Sequence, residues 1–362
     1  MADVDKIKKS LRKKRTMWKP TEFLSSGSTM VNLACTGRPD GAFPLGSYCF
    51  LVGDSKSGKT FLSLTCLAEA SIDKRFAKYR FVYDNAEGGA LMDIEKFFGR
   101  RVAERVEPPG WDGDEPVYSD TGEEFYYHVD DAIEKGVPFI YVLDSMDSLS
   151  SEAEGDKFDE RKRAHRAGKE AAGFYTDNKA KVNSSCLRKV IRPLQKSGSI
   201  LIIINQTRDN LAGGPFGPKK TRSGGHALQF YATLEIWSSV ARRLKRTIGG
   251  KERQLGVECR IDVKRSRVTG RERSVSVPIF HSSGIDDTGS CVDYLVFEGA
   301  WKKNKAGVVE ASGLGPTWKG KRENVIHRIE ERGMGEDLRL LVGETWDAVE
   351  AACAVKREKR YG

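Results

Sequence analysis

The residues best suited to chemistry lie between Cys49 and Thr60. Cys49-Phe50-Leu51-Val52 is apolar, and Gly53-Asp54-Ser55-Lys56-Ser57-Gly58-Lys59-Thr60 spells G-x-x-x-x-G-K-T. An apolar run (Phe61, Leu62, Leu64, Leu67, Ala68, Ala70) follows it. The pattern is strand, tight loop, helix, and that context separates a phosphate loop from a chance match. Glycine allows backbone conformations that turn successive N–H groups inward around phosphate oxygens. The positive end of the following helix points at the same place. Lys59 would reach the β- and γ-phosphates of a nucleotide, and the Thr60 hydroxyl would ligate Mg²⁺.

Three further polar groups end apolar runs downstream. Tyr79 to Asp84 is strand-like and enters the turn Asn85-Ala86-Glu87-Gly88-Gly89. A carboxylate just past a strand end sits where open parallel sheets bind ligands. Glu87 is therefore the candidate to orient or deprotonate a water, with an N-cap or solvated turn residue as the competing reading. Phe139-Ile140-Tyr141-Val142-Leu143 ends in Asp144, the form of a Walker-B strand whose carboxylate holds Mg²⁺ directly or through water. Ser199 to Ile204 ends in Asn205-Gln206, an amide that could touch a γ-phosphate and report its loss.

Apolar runs alternating with helical patterns predict an α/β fold: a mostly parallel, twisted central sheet flanked by helices. A short helix is expected around Thr29 to Ala34, and others over Thr121 to Glu134 and 183 to 196, the latter with Arg188 facing outward. Residues 107–117 read as a loop, 150–182 as a long polar connection, and Thr207 to Gly225 as a second, glycine-rich basic loop. That loop holds Arg208, Phe216, Lys219, Lys220 and Arg222, a composition suited to tracking a backbone and stacking on single-stranded bases. Leu228 to Trp237, Gly256 to Lys264 and Val275 to Phe280 read as strands, with a basic hairpin at Ala241 to Arg253. Arg265 and Arg267 place two cations on one side of an extended segment. From Cys291 the texture changes to three tryptophans, short turns and two helical runs, Glu323 to Arg332 and Trp346 to Ala354. The expected division is a basic arm over 1–24, a core over 25–290 and a small α/β domain with a basic surface over 291–362.

Composition narrows the partners. The 362 residues are 39% apolar and 31% charged, with a net charge of +10. A basic nucleotide-binding protein suits an extended polyanion as second ligand. No run is long enough for a spanning helix, and the basic N-terminus has no apolar segment behind it, so neither a membrane span nor a secretory signal is expected. The seven cysteines are scattered, odd in number and never spaced C-x-x-C. They read as reduced thiols of a cytoplasmic protein, with no disulfide frame and no zinc site.

The ordered blocks GSTMVNLACTG with FPLG, GDSKSGKT, DNAEGGALMD, YVLDSMDSLSSEAE, ILIIINQTR, SGGHALQFYA and EGAWKKNKAGVVEASGLGPTWKGKRENV resemble the bacterial RecA recombinase family from about Ser25 to Glu350. The resemblance implies a DNA-dependent ATPase using ATP and Mg²⁺. Such a protein binds single-stranded DNA as a homo-oligomer, a helical filament or a ring, and pairs it with homologous duplex DNA. It implies that Glu87 activates water, that Asp144 is the Walker-B aspartate, and that Gln206 couples the γ-phosphate to the second DNA loop carrying Phe216. It also implies that Gly224 and Gly225 open a helix on a DNA phosphate and that Arg188 contacts DNA. Arg265 and Arg267 fall where the family has two lysines that reach a neighbour's ATP. Three departures stand out: a longer, more basic first DNA loop (Glu152 to Val182), arginines in place of those lysines, and a shortened N-terminal segment. They suggest a phage or mobile-element version. A hexameric DNA motor or helicase and a nucleotide-gated accessory factor of recombination are the alternatives.

Overall fold

The computed structural model describes residues 22–89, 92–167, 178–209, 220–222, 224–355 and 357; for 178, 209 and 222 only the backbone is described. The basic segment 6–19, Phe216 and Lys219 lie outside the described residues. Along the chain come β1 (Phe23–Leu24), α1 (Thr29–Thr36), β2 (Phe43–Pro44), β3 (Ser47–Gly53), α2 (Lys59–Ile72) and β4 (Arg80–Asp84). Then follow α3 (Ile94–Phe98), α4 (Arg100–Ala103), β5 (Val106–Glu107), β6 (Gly110–Asp112), β7 (Glu115–Val117), α5 (Gly122–Glu134) and β8 (Phe139–Leu143). The next elements are α6 (Glu152–Arg166), α7 (Asn178–Ser197), β9 (Ile200–Asp209), β10 (Lys220–Arg222), α8 (Gly225–Tyr231), β11 (Leu234–Ile248), β12 (Lys251–Ser266), β13 (Arg273–Phe280) and β14 (Gly284–Ile285). The chain closes with α9 (Asp287–Phe297), β15 (Lys302–Lys303), β16 (Val308–Ala311), β17 (Trp318–Lys321), α10 (Arg322–Glu331) and α11 (Gly335–Ala352).

The main sheet has the order β14-β13-β12-β11-β3-β9-β8-β4-β5, with β10 hydrogen-bonded to β9. From β11 to β5 every neighbouring pair is parallel; β12, β13 and β14 add antiparallel pairs at the far side. The central strands are apolar along their whole length because helices cover both faces. Alternation then sorts their side chains: Cys49, Leu51, Tyr83, Ile140, Val142 and Ile202 enter one core, and Phe50, Val52, Val82, Tyr141, Leu143 and Ile203 the other. The sheet β15-β16-β17 with α10 and α11 buries Trp301, Trp318 and Trp346 in the first of these cores. Helix α9 runs straight through position 291, where the composition changes. Among the described residues no helix is long and apolar enough to cross a membrane.

Several expectations are corrected. Residues 110–117 form a β-hairpin, not a plain loop. The 150–182 connection is not a plain loop: Ser151 and Glu154 make a reciprocal capping box that starts α6, and α7 begins at Asn178. No residue of α6 is buried, so it carried no apolar stripe to read. The 207–225 segment is not all loop, because β9 continues to Asp209 and pairs with β10, which puts Arg208, Lys220 and Arg222 on a ladder. Leu228 to Trp237 is not one strand: α8 occupies 225–231, and β11 starts at Leu234. Its apolar residues look the same at either period over so short a run. The second C-terminal helix starts at Gly335, not Trp346.

Candidate functional site

The site is built at the C-terminal ends of the parallel strands. β3 delivers Gly53, whose φ/ψ matters less than its bareness: a Cβ there would lie 2.2 Å from the Ser238 carbonyl on β11. Lys56 (φ 63°) and Gly58 (φ 82°) both adopt left-handed backbone, which bends the loop around its own N–H groups. The Ser238 hydroxyl ties the loop down by donating to the Ser57 carbonyl. Helix α2 begins at Lys59, so its unpaired N–H groups face the same space. Ser55 is exposed. The Phe61 ring packs on Phe98, with centroids 4.7 Å apart.

Lys59 is buried and donates to the carbonyls of Gly53 (2.9 Å) and Asp54 (2.6 Å). Burial lowers its pKa, against the pull of the surrounding carboxylates Asp144, Glu87, Asp54 and Asp147. A cation so placed is ready to move from loop carbonyls to a more anionic ligand. Beside it the Thr60 hydroxyl donates to Asp144 Oδ2 at 2.6 Å, and the Tyr83 hydroxyl donates to the same oxygen at 3.0 Å. A hydroxyl and a carboxylate in contact are hard oxygen donors suited to Mg²⁺. Among the described residues no group of three or more His, Cys, Asp or Glu could hold a metal. A cation at Thr60 and Asp144 would therefore take its remaining ligands from phosphate and water, which is how Mg²⁺ is ordinarily held.

Glu87 is exposed and hangs on the same framework: its N–H donates to the Asp144 carbonyl at 2.9 Å. Its carboxylate accepts from the Gln206 amide, Nε2 to Oε1, at 2.9 Å. The Gln206 backbone N–H donates in turn to Asp147, which also receives Arg208 at 3.5 Å. Asp54 closes the arrangement. Its carboxylate accepts from the Thr207 hydroxyl and the Lys220 ammonium. Burial opposes its charge, but those two donors and the field of Lys59 hold its pKa below the usual carboxylate value.

Thus Lys59, Thr60, Asp144, Glu87, Gln206, Arg208 and Lys220 converge. Arg188 is exposed on α7. Gly224 and Gly225 open α8 against α7, where a Cβ on Gly225 would meet the Ala180 Cβ at 2.8 Å. Arg265 and Arg267 point elsewhere: they donate to the carbonyls of Gln229 (3.1 Å) and Phe230 at the end of α8. Arg265 pairs with Glu235, which pairs with Phe50, three positions before Gly53. That is roughly 10 Å back along the strand from the phosphate loop. Sequence reasoning missed Tyr83, Asp147, Thr207 and Ser238. Of these only Asp147 carried a signal, a second acid directly after the Walker-B pattern.

A family model described as the RecA N-terminal domain matches residues 5–286. The chain is 31% identical over 300 residues to protein RecA of Cereibacter sphaeroides, covering 81% of this chain and 73% of that protein. It is 31% identical over 298 residues to protein RecA of Ruegeria pomeroyi, covering 81% and 72%. Against protein RecA of Colwellia psychrerythraea it is 29% identical over 290 residues, covering 77% and 73%. With the family model matched over 5–286 and relatives 31% identical over 81% of its length, the chain belongs to the RecA family.

Proposed function

We propose that this protein is an ATP-dependent DNA recombinase of the cytoplasm. It coats single-stranded DNA as a homopolymer, pairs it with homologous duplex DNA and hydrolyses ATP in doing so. The observation that carries the reading is the hydrogen bond from Gln206 to Glu87, beside the Thr60–Asp144 pair. It joins the carboxylate best placed to activate water to the strand that leads into the second DNA segment.

Glu87 acts as general base for a water attacking the γ-phosphorus in line, a role that needs a free carboxylate lone pair. Gln206 occupies only Oε1 of that carboxylate, and its amide is placed to move to the γ-phosphate when that group is present. Lys59 moves from the Gly53 and Asp54 carbonyls to the phosphate oxygens, while the loop N–H groups of 54–61 hold the rest of the chain of phosphates. Thr60 and Asp144 would hold Mg²⁺, which would supply neutralisation of phosphate charge there. Arg265 and Arg267, too far back to serve their own loop, reach the ATP of an adjacent subunit and stabilise developing charge there. Arg188, Arg208, Phe216, Lys219, Lys220, Arg222 and the N–H groups of Gly224 and Gly225 take the DNA.

The test is ATP hydrolysis with and without single-stranded DNA, with negative-stain imaging of the same samples. Stimulated turnover on helical filaments is expected. Closed rings with stimulated turnover would move the assignment to a hexameric motor. DNA binding with negligible turnover and no polymer would make the protein an accessory factor. Within that assay Glu87→Gln should bind ATP and stay on DNA without turning over, and loss of nucleotide affinity would count against its role as base.

A further inference from the structure

The Asp54 side chain has no part in the chemistry above. It nevertheless joins two sites. One carboxylate oxygen takes the Thr207 hydroxyl, and the other takes the Lys220 ammonium. Thr207 follows Gln206 on β9, and Lys220 opens β10, where it pairs with Asp209. A single carboxylate inside the phosphate loop thus grips both strands of the β9–β10 hairpin. The Asp54 carbonyl at the same time holds Lys59. Any ligand that draws Lys59 off that carbonyl and closes the loop N–H groups around itself acts on residue 54. Whatever acts on residue 54 acts on both hairpin strands. The Lys220 side chain is 46% exposed and that of Asp54 33%, so the pair is reachable by a second anion without unfolding anything.

We propose that Asp54, Thr207 and Lys220 form a latch that couples occupancy of the phosphate loop to the affinity of the β9–β10 hairpin for single-stranded DNA. The inference rests on the ATPase and DNA-binding reading given above. Asp54 and Thr207 are positioning residues; Lys220 is shared between the loop carboxylate and the DNA backbone. Each ligand orders groups that the other also needs, so whichever binds first lowers the ordering cost for the second. Coupling of this kind is reciprocal: nucleotide tightens DNA binding by the same factor by which DNA tightens nucleotide binding.

The experiment measures the affinity of the full chain for a fluorescent oligo-dT, with and without a non-hydrolysable ATP analogue. The ratio of the two dissociation constants is the coupling factor, and the wild type should give about 10–100. Asp54→Asn, Thr207→Val and Lys220→Met should bring that factor down by about fivefold or more, while Lys220→Arg keeps it. A merely structural role would weaken both affinities together, leave their ratio alone and show no rescue by arginine. An unchanged ratio in both Asp54→Asn and Lys220→Met overturns the latch. Failure of the underlying reading shows differently, as a wild type that binds no DNA or whose DNA affinity ignores the nucleotide, and this too overturns the proposal. Thr207 and Lys220 lie outside the phosphate loop, so their variants answer the question even if Asp54→Asn disturbs the loop fold.

Discussion

Two aspartates end neighbouring strands of the sheet, Asp84 on β4 and Asp144 one position past β8. In sequence each is an apolar run closed by an acid. In the structure Asp84 pairs with Leu143, so Asp144 sits one residue further and its side chain leaves the opposite face. Asp84 shares its face with Val82 and Tyr141 and is fully buried. It accepts from the Ser119 N–H (3.1 Å), the Ser119 hydroxyl (2.6 Å) and the Tyr141 hydroxyl (2.7 Å). Burial raises its pKa even though those donors pull the other way. Asp144 shares its face with Tyr83 and with α2, and so meets Thr60. The same local pattern makes a core bracket in one place and a ligand to the phosphate-loop threonine in the other. Parity relative to the loop helix decides between them.

That contrast can be broken by experiment. The largest effect is expected at Asp144. Asp144→Asn should lower DNA-stimulated ATP turnover by about 100-fold or more, since a misplaced metal costs several kcal/mol of charge stabilisation. It should leave the urea unfolding free energy within about 1 kcal/mol of wild type. Asp84→Leu should do the reverse. Three buried donor groups lose their acceptor, and stability should fall by about 3 kcal/mol in the same urea titration, with nucleotide affinity retained by the folded fraction. A turnover loss at Asp84 equal to that at Asp144 would erase the distinction. The smallest effect is expected from a pair of tyrosines on opposite faces. Tyr141→Phe removes one donor from Asp84 and should cost about 1–2 kcal/mol of stability. Tyr83→Phe should cost less and instead shift the Mg²⁺ concentration needed for half-maximal turnover; a stability loss equal to that of Tyr141→Phe would show that Tyr83 serves the fold alone.

A second comparison concerns what could be read before the fold was known. The loop from Gly53 to Thr60 was legible because its pattern is local: the residues are contiguous, and the strand before them and the helix after them follow from short spacing. β3, β8 and β9 were legible because strands buried on both faces must be apolar throughout. α6 was not, since a helix with no buried residue has no stripe and shows only its capping box. α8 was not, since seven residues hold too few turns to separate a period of 3.6 from one of 2. The Asp54 contacts were invisible for another reason. Thr207 and Lys220 lie more than 150 positions downstream, and nothing in the residues nearby marks them as partners.

The sequence by itself determined the α/β class, the phosphate loop with Lys59 and Thr60, the acid at Asp144 and the membership of the chain in its family. These depend on residue type and short spacing, which the chain carries directly. Only the tertiary structure decided which strand-end acid faces the loop, that Gln206 touches Glu87, that Asp54 grips the β9–β10 hairpin, and that Arg265 and Arg267 face away from their own phosphate loop. Each of these depends on register between strands distant in sequence, and a shift of one residue in that register would turn every side chain to the other face.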